Sequence, residues 1–365
     1  VIDRRTFGLA AAAMAALPAV PAIARPGGRI PIIIAHRGAS GERPEHSLMA
    51  YRLAIEVGAD FIEPDLVLSR DGHFLCRHEN EISETTDIAA RPEFAARKTT
   101  KVIDGETLTG WFTEDFTLAE LKTLRCRERL PKLRPQNTAY DGQEAIPTFA
   151  EVIALARSES KARGRIIGIY PEIKHPAHFA LVGLPMEGRL ATVLKAEGYD
   201  FPTAPVFVQC FEVGPLKTLR GLIKSPLIQL IAAEGGPADL PGLRYAEMIG
   251  PSGLTAIGAY ADGIGPDKSL VVPADREDLL APTTLVADAH AAGLKVHPWT
   301  VRIENYFLPS ALKRLPAGIT PREPMMAGNA DELFQALFKA GVDGLFTDNP
   351  AQGVRARNSF VGANA

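Results

Sequence analysis

At 365 residues, with 46% hydrophobic and 23% charged side chains, the chain has enough apolar material for a large core, and its length fits one α/β barrel with loop insertions. A net charge of −3 argues against nucleic acid or an anionic membrane as main partner, since either favours a clustered basic surface. Cys76, Cys126 and Cys210 are too few and too scattered for a disulfide framework or a zinc site.

The first 24 residues read as a leader. Arg4 and Arg5 precede an Ala-rich apolar run, and Ala22-Ile23-Ala24 supplies the small residues a signal peptidase reads. This resembles a twin-arginine export signal, so the mature chain is expected to begin near Arg25 and to work in the periplasm or as a secreted protein. Pro18 and Pro21 make the run a poor spanning helix, and no later stretch is long and apolar enough to span, so no stable membrane anchor is expected.

Pro31 to Ala35 is a short β-branched run that reads as a buried strand delivering His36 and Arg37 at its C-terminal end. Pro44-Glu45-His46-Ser47 follows, and in the second strand, Ala59 to Leu68, alternation turns Glu63 and Asp65 to one face with Phe61. Asp71-Gly72 marks a tight turn, and His73 to His78 returns as a strand. Any one of these polar residues alone is more often structural than catalytic. Two carboxylates aimed at one point, however, leave negative charge that is costly to bury, so a metal or a basic side chain is expected beside them.

After His78 the rhythm stops. Residues 79–144 are charged and carry little alternation apart from the capping box Thr117-x-x-Glu120, and they read as an insertion. Ile146-Pro147-Thr148 starts a helix through Ala156. Strand three is expected over Ile166–Ile173, with Glu172 and Lys174 repeating the same-face spacing. Strand four is expected over Val206–Phe211, five over Leu227–Ala232, six over Ala256–Ile264, seven over Leu294–Thr300 and eight over Asp343–Thr347. Helices Thr284–Ala292 and Asp331–Ala340 end at Gly293 and Gly341. Eight strand–helix alternations, with polar residues at strand C-termini, are the pattern of a (β/α)8 TIM barrel in the α/β class, here with a small insertion after the second strand region. Trp299 either fills the barrel or stacks on a ligand. The segment 302–329, with Tyr306 and Phe307, is either a lid or a packed surface loop.

His36-Arg37-Gly38-Ala39, Pro44-Glu45-His46-Ser47, Gly58-Ala59-Asp60, Glu63-x-Asp65, Asp71-Gly72, His78-Glu79 and Pro171-Glu172-Ile173-Lys174 together resemble the glycerophosphodiester phosphodiesterase family, in its periplasmic bacterial branch. The resemblance implies a phosphodiesterase barrel over residues 25–355, with the insertion at 79–144 and a tail at 356–365. It implies metal-dependent hydrolysis of glycerophosphodiesters, as small-molecule substrates, to glycerol 3-phosphate and an alcohol, through a cyclic phosphate that water opens. Glu63, Asp65 and Glu172 are hard oxygen ligands and suit one divalent cation, Ca2+ in preference to Mg2+, better than zinc. Arg37 and Lys174 would hold phosphate oxygens, with Phe211 and Trp299 beside the substrate. His36 and His78 remain as the acid–base pair. His46 is expected to fix the loop after strand one, and His175 with His178 to sit in a solvated loop. Two alternatives stand beside this reading: a phospholipid-cleaving lyase of the sphingomyelinase D kind, and a periplasmic binding protein for glycerophosphodiesters.

Overall fold

The computed structural model describes residues 30–313 and 324–363. The leader expected at 1–24 lies outside the described residues, as does the 314–323 part of the long loop. Its strands in chain order are β1 (Ile32–His36), β2 (Phe61–Glu63), β3 (Asp65–Leu68), β4 (Phe74–Cys76), β5 (Thr99–Ile103), β6 (Glu106–Gly110), β7 (Gly168–Ile169), β8 (Glu172–Ile173), β9 (Val208–Cys210), β10 (Leu227–Ile231), β11 (Gly263–Pro266), β12 (Lys295–Val296) and β13 (Gly344–Thr347).

These strands make eight parallel staves. β2 and β3 form one stave broken at Pro64, and β7 and β8 form another broken at Tyr170 and Pro171, because a proline has no N–H to give to a ladder. The order β13-β1-β2-β7 continues in β12-β11-β10-β9-β8-β3, with every stave pair parallel. The barrel closes between the seventh and eighth staves, where Val301 bridges Thr347 and the Asp343 N–H donates to the Val296 carbonyl at 3.0 Å. β4 runs antiparallel to β3, and β5–β6 is a separate antiparallel hairpin.

Local sequence accounts for the helices that return the chain between staves. Ser47 caps Leu48–Glu56 by accepting from the Ala50 N–H, and Thr148 with Glu151 forms a capping box on Phe149–Arg163, which stops at the left-handed Gly164. That second helix outruns the expected end at Ala156, because its last two turns are polar and carry no apolar stripe to read. Residues 256–258, expected in strand six, are helical instead: Pro251 starts the helix Pro251–Gly258, which buries Leu254 and Ile257 at a three-residue spacing. Residues 356–363, expected as a tail, belong to the helix Pro350–Ala363. Gly38 packs the end of β1 against the first helix: at φ +82°, a Cβ there would meet the Ala50 backbone at 2.6 Å.

Inside the barrel Ile34, Tyr170, Phe207, Ile228 and Phe346 form one buried cluster, with Ile32, Phe61 and Trp299 packed on it. His297 belongs to this plug. It is buried, and its Nδ1 pairs with the Tyr170 hydroxyl at 2.8 Å. Strand period two places the next inward residue of each stave one layer nearer the C-terminal mouth. Ile34 leads to His36, Phe61 to Glu63, Tyr170 to Glu172, Phe207 to Gln209, His297 to Trp299 and Phe346 to Asp348.

The segment 79–144, read as an insertion, packs onto the barrel. Ile82, Ile88, Phe94, Phe116, Leu121 and Leu124 are buried in the same core cluster as Leu66, Leu68 and Phe74. Scattered apolar residues reach the core from short 3-10 turns and loops, so no periodicity announced them.

Candidate active site

The mouth layer brings the sequence-derived residues together. Ladder register sets His36 beside Glu63, Asp65 beside Glu172, and Glu172 beside Gln209. Glu63, Asp65 and Glu172 are all buried, and each offers a carboxylate oxygen within 4.8 Å of the others.

Protein groups balance this acidic trio only in part. Glu63 accepts from the Arg37 backbone N–H at 2.8 Å and from Gln209 Nε2 at 3.2 Å. Asp65 accepts from His46 Nε2 at 2.9 Å and lies 3.2 Å from Arg37 Nε. Glu172 accepts from Lys174 Nζ at 2.9 Å. Three carboxylates therefore share two side-chain cations, and Asp65 Oδ1 is buried without a hydrogen-bond partner. The strain shows in protonation. Burial and the neighbouring Asp65 charge push the Glu63 carboxyl well above the usual range, and burial raises Glu172 to about 7 against the pull of Lys174. Burial would raise Asp65 as well, but the His46 hydrogen bond and the Arg37 charge hold it well below. A buried all-oxygen cluster with an unpaired carboxylate oxygen fits a hard divalent cation.

Arg37, in a left-handed backbone conformation, is clamped by Glu45 at 3.1 Å, and Glu45 also binds Arg129 at 2.8 Å. His46 does more than fix its loop. Its Nε2–H is spent on Asp65 and its Nδ1 accepts from the Tyr51 hydroxyl at 2.7 Å, which aims the carboxylate.

Two histidines flank the trio. His36 Nδ1 donates to Asp348 at 2.6 Å. Burial, with Arg37 next in weight, lowers its pKa to about 4. His78 Nδ1 meets Glu79 at 2.6 Å, while its Nε2 faces Lys174 Nζ at 3.3 Å. Burial and the charges of Arg37 and Lys174 lower its pKa to about 3. Both rings are thus neutral near pH 7, with Nδ1 carrying the proton and Nε2 holding a lone pair. Phe211 and Trp299 stand edge to face, 5.6 Å apart, and Lys174 Nζ lies 5.7 Å from the Phe211 ring centre, so the aromatic pair walls the site beside the lysine.

Sequence reasoning missed Asp348, Gln209 and Arg134. The first two are the inward residues one step beyond Phe346 and Phe207, so the strand parity could have found them. Arg134 comes from the inserted segment, is buried, and donates to Asp348 at 2.6 Å and to Glu304 at 2.6 Å. His175 and His178 are not in a solvated loop. They sit at the cap and in the first turn of the helix Pro176–Leu181 and pair with carboxylates, His175 with Glu79 and Asp104, His178 with Glu114. Those partners come from the inserted segment, far away in sequence.

A closed parallel barrel whose C-terminal mouth gathers a buried acidic trio, two neutral histidines, an arginine and a lysine is the site of a barrel enzyme, with basic groups placed to meet an anionic ligand. Comparison with known proteins narrows the class. Residues 36–352 match the glycerophosphoryl diester phosphodiesterase family, and the chain belongs to that family. It is 39% identical over 330 residues to a glycerophosphodiester phosphodiesterase of Arabidopsis thaliana, covering 87% of this chain and 83% of that one. It is 31% identical over 348 residues to one of Haemophilus influenzae, covering 88% of each. Among solved structures, the fold is similar to a phosphodiesterase from Oleispira antarctica in complex with the product sn-glycerol-3-phosphate, with TM-score 0.57, 22% identity, and 90% and 97% of the two chains covered. It is also similar to a glycerophosphodiester phosphodiesterase from Agrobacterium tumefaciens, with TM-score 0.54, 17% identity, and 89% and 99% covered.

Proposed function

We propose that this chain hydrolyses glycerophosphodiesters to glycerol 3-phosphate and an alcohol, using one divalent cation and the acid–base pair His36 and His78. The observation that carries the reading is the convergence of two imidazoles, each with Nδ1 tied to a carboxylate so that Nε2 is the basic nitrogen, on the rim of an under-neutralised acidic trio. The names of the relatives of 39% and 31% identity support the substrate class.

Glu63, Asp65 and Glu172 would hold the cation, Ca2+ in preference to Mg2+, because Ca2+ accepts irregular sets of six to eight oxygens. When bound, the cation supplies positive charge to the non-bridging phosphate oxygens. Arg37 and Lys174 orient those oxygens, and Phe211 with Trp299 excludes water from one side. One neutral histidine takes the proton of the attacking glycerol hydroxyl at Nε2, and Asp348 or Glu79 steadies the imidazolium that results. The incoming phosphodiester anion raises the pKa of both rings, so the second histidine carries a proton to the leaving alkoxide. Water, activated by the reverse assignment, then opens the cyclic phosphate. The leader at residues 1–24 we read as directing export to the periplasm or beyond, which sequencing the N-terminus of exported protein would test: it should begin near Arg25.

The deciding experiment is product analysis on a panel of glycerophosphodiesters, with stripped protein and single cations added back. Glycerol 3-phosphate plus free alcohol, restored best by Ca2+, is expected. A cyclic phosphate that persists would instead mark a lyase, and binding without turnover would mark a carrier.

A further inference from the structure

The inserted hairpin β5–β6 ends in Asp104 and Gly105, a two-residue turn with both residues at positive φ, 47° and 89°, as the strand twist favours. Most of the hairpin is exposed, yet its turn reaches the site. Asp104 Oδ2 is 2.6 Å from His175 Nδ1, His175 Nε2 is 3.0 Å from Glu79 Oε2, Glu79 Oε1 is 2.6 Å from His78 Nδ1, and His78 Nε2 is 3.3 Å from Lys174 Nζ. These four contacts form an unbroken polar chain from a surface turn through His78 to Lys174, whose Nζ also donates to Glu172 at 2.9 Å.

Three features make this chain more than incidental pairing. His175 holds a left-handed backbone, φ 50°, directly before Pro176, a conformation a non-glycine residue adopts at a cost of about 1–3 kcal/mol and keeps only where its surroundings fix it. Both of its ring nitrogens contact carboxylates, so both carry protons, and its side chain is only 13% exposed. Glu79, by contrast, is 41% exposed, and among the described residues its hydrogen-bond partners are the two histidines. With its Oε2 held by His175, Glu79 presents Oε1 to His78, and a carboxylate can only accept, so Nδ1 is the protonated nitrogen of His78 and Nε2 the basic one.

We propose that Asp104 and His175 are positioning residues which act through Glu79 to hold His78 in the Nδ1–H tautomer with Nε2 facing the substrate. The inserted hairpin thereby completes the active site of the barrel. This inference rests on the acid–base role assigned to His78 above, and it adds two residues that touch neither the cation ligands nor the phosphate.

The test uses the full chain loaded with Ca2+. Asp104→Ala and His175→Ala should each lower kcat about 10- to 100-fold, the range of outer-shell substitutions, with KM within about twofold. The double variant should be no slower than His175→Ala alone, because both act along one chain. Asp104→Asn, whose amide oxygen can still accept from Nδ1–H, should retain most of the activity. Nitrogen-15 NMR of the histidine rings, recorded below the melting temperature of each variant, gives a readout independent of turnover: His78 should show Nδ1–H in the parent chain and a mixed tautomer in His175→Ala. Unchanged kcat, a rise confined to KM, multiplicative losses in the double variant, or a His78 tautomer that ignores His175 would each overturn the proposal. A parent chain with the Nδ1–H tautomer but no phosphodiesterase activity would instead retire the functional reading and leave the positioning intact.

Discussion

Asp348 and Arg134 meet in a 2.6 Å ion pair, with both side chains nearly inaccessible. Asp348 follows the eighth stave and its other oxygen accepts from His36 Nδ1–H, whereas Arg134 comes from the segment inserted after β4 and also binds Glu304 and the Ser40 carbonyl. The inserted segment therefore stabilises the carboxylate that orients a proposed catalytic histidine.

Breaking that pair from either side should separate stability from catalysis. Arg134→Met leaves Asp348 and Glu304 buried with less compensation, and removing one partner of a buried pair typically costs about 3–5 kcal/mol. Arg302, 2.8 Å from Asp348, softens the loss toward the lower figure. Asp348→Asn should instead cost about 10- to 100-fold in kcat, because the amide no longer dictates which His36 nitrogen carries the proton. Urea unfolding and steady-state kinetics on the two variants check this. Full stability in Arg134→Met would mean that the insertion is only tethered there.

Cation binding should follow the trio. Asp65→Asn and Glu172→Gln remove charge from a site where Asp65 Oδ1 has no other partner, so isothermal titration with Ca2+ should show affinity lost in both. Tyr51→Phe removes the hydrogen bond that aims His46 and should weaken binding about 10- to 100-fold without touching a ligand. Activity that survives exhaustive chelation would sink the cation reading.

How much of this was legible depended on whether the signal was local. His36, Glu63, Asp65, Glu172 and Lys174 stand at strand ends, where alternation alone gives a side chain's face, and the structure gathers them as read. Asp348 and Gln209 obey the same parity, one step beyond Phe346 and Phe207, and were overlooked because neither stands in a local cluster of charged residues like the one at Glu63 and Asp65. Strand six was misplaced because Ala256, Ile257, Gly258 and Ala259 are small and apolar, a composition that suits a buried strand or a helix face equally until Pro251 is seen to start the helix. His175 and His178 looked solvated because Asp104 and Glu114, which bind them, lie 71 and 64 residues away. Pairing across that distance has no trace in spacing.

The His175 ion pairs predict an alkaline loss of stability. Burial opposes its charge, but the hydrogen bonds it donates to Asp104 and Glu79 prevail and raise its pKa from 6.5 to about 9. A group whose folded pKa is raised gives a stabilisation that is complete below its unfolded value and disappears as pH climbs through the folded one. The extra stability of the parent over His175→Gln should thus be largest near pH 6, shrink between pH 7 and 9, and vanish by pH 10. Melting temperatures of both proteins across that range measure it, and a constant difference would show that His175 is not charged in the fold.

His36 and His78 should prove indispensable in a way that the other histidines are not. Each has Nδ1 committed to a carboxylate, and His78 Nε2 faces Lys174, whereas His46 and His297 are spent on Asp65, Tyr51 and Tyr170, and His178 on Glu114. Removing a general acid or base typically costs about 10² to 10⁴ in rate, so His36→Ala and His78→Ala should each fall by that factor in kcat. Neither is placed as a ligand, so Ca2+ affinity in both should stay within a few-fold of the parent. Because burial holds both rings neutral, with values of about 4 and about 3, the acid limb of kcat/KM should lie below the ordinary imidazole value of 6.5, and a bound cation would push it lower still. His297→Gln should leave kcat close to the parent's and change melting temperature only. Loss of cation binding together with activity in either alanine variant would move that histidine into the coordination sphere and leave the proton transfers with a single carrier.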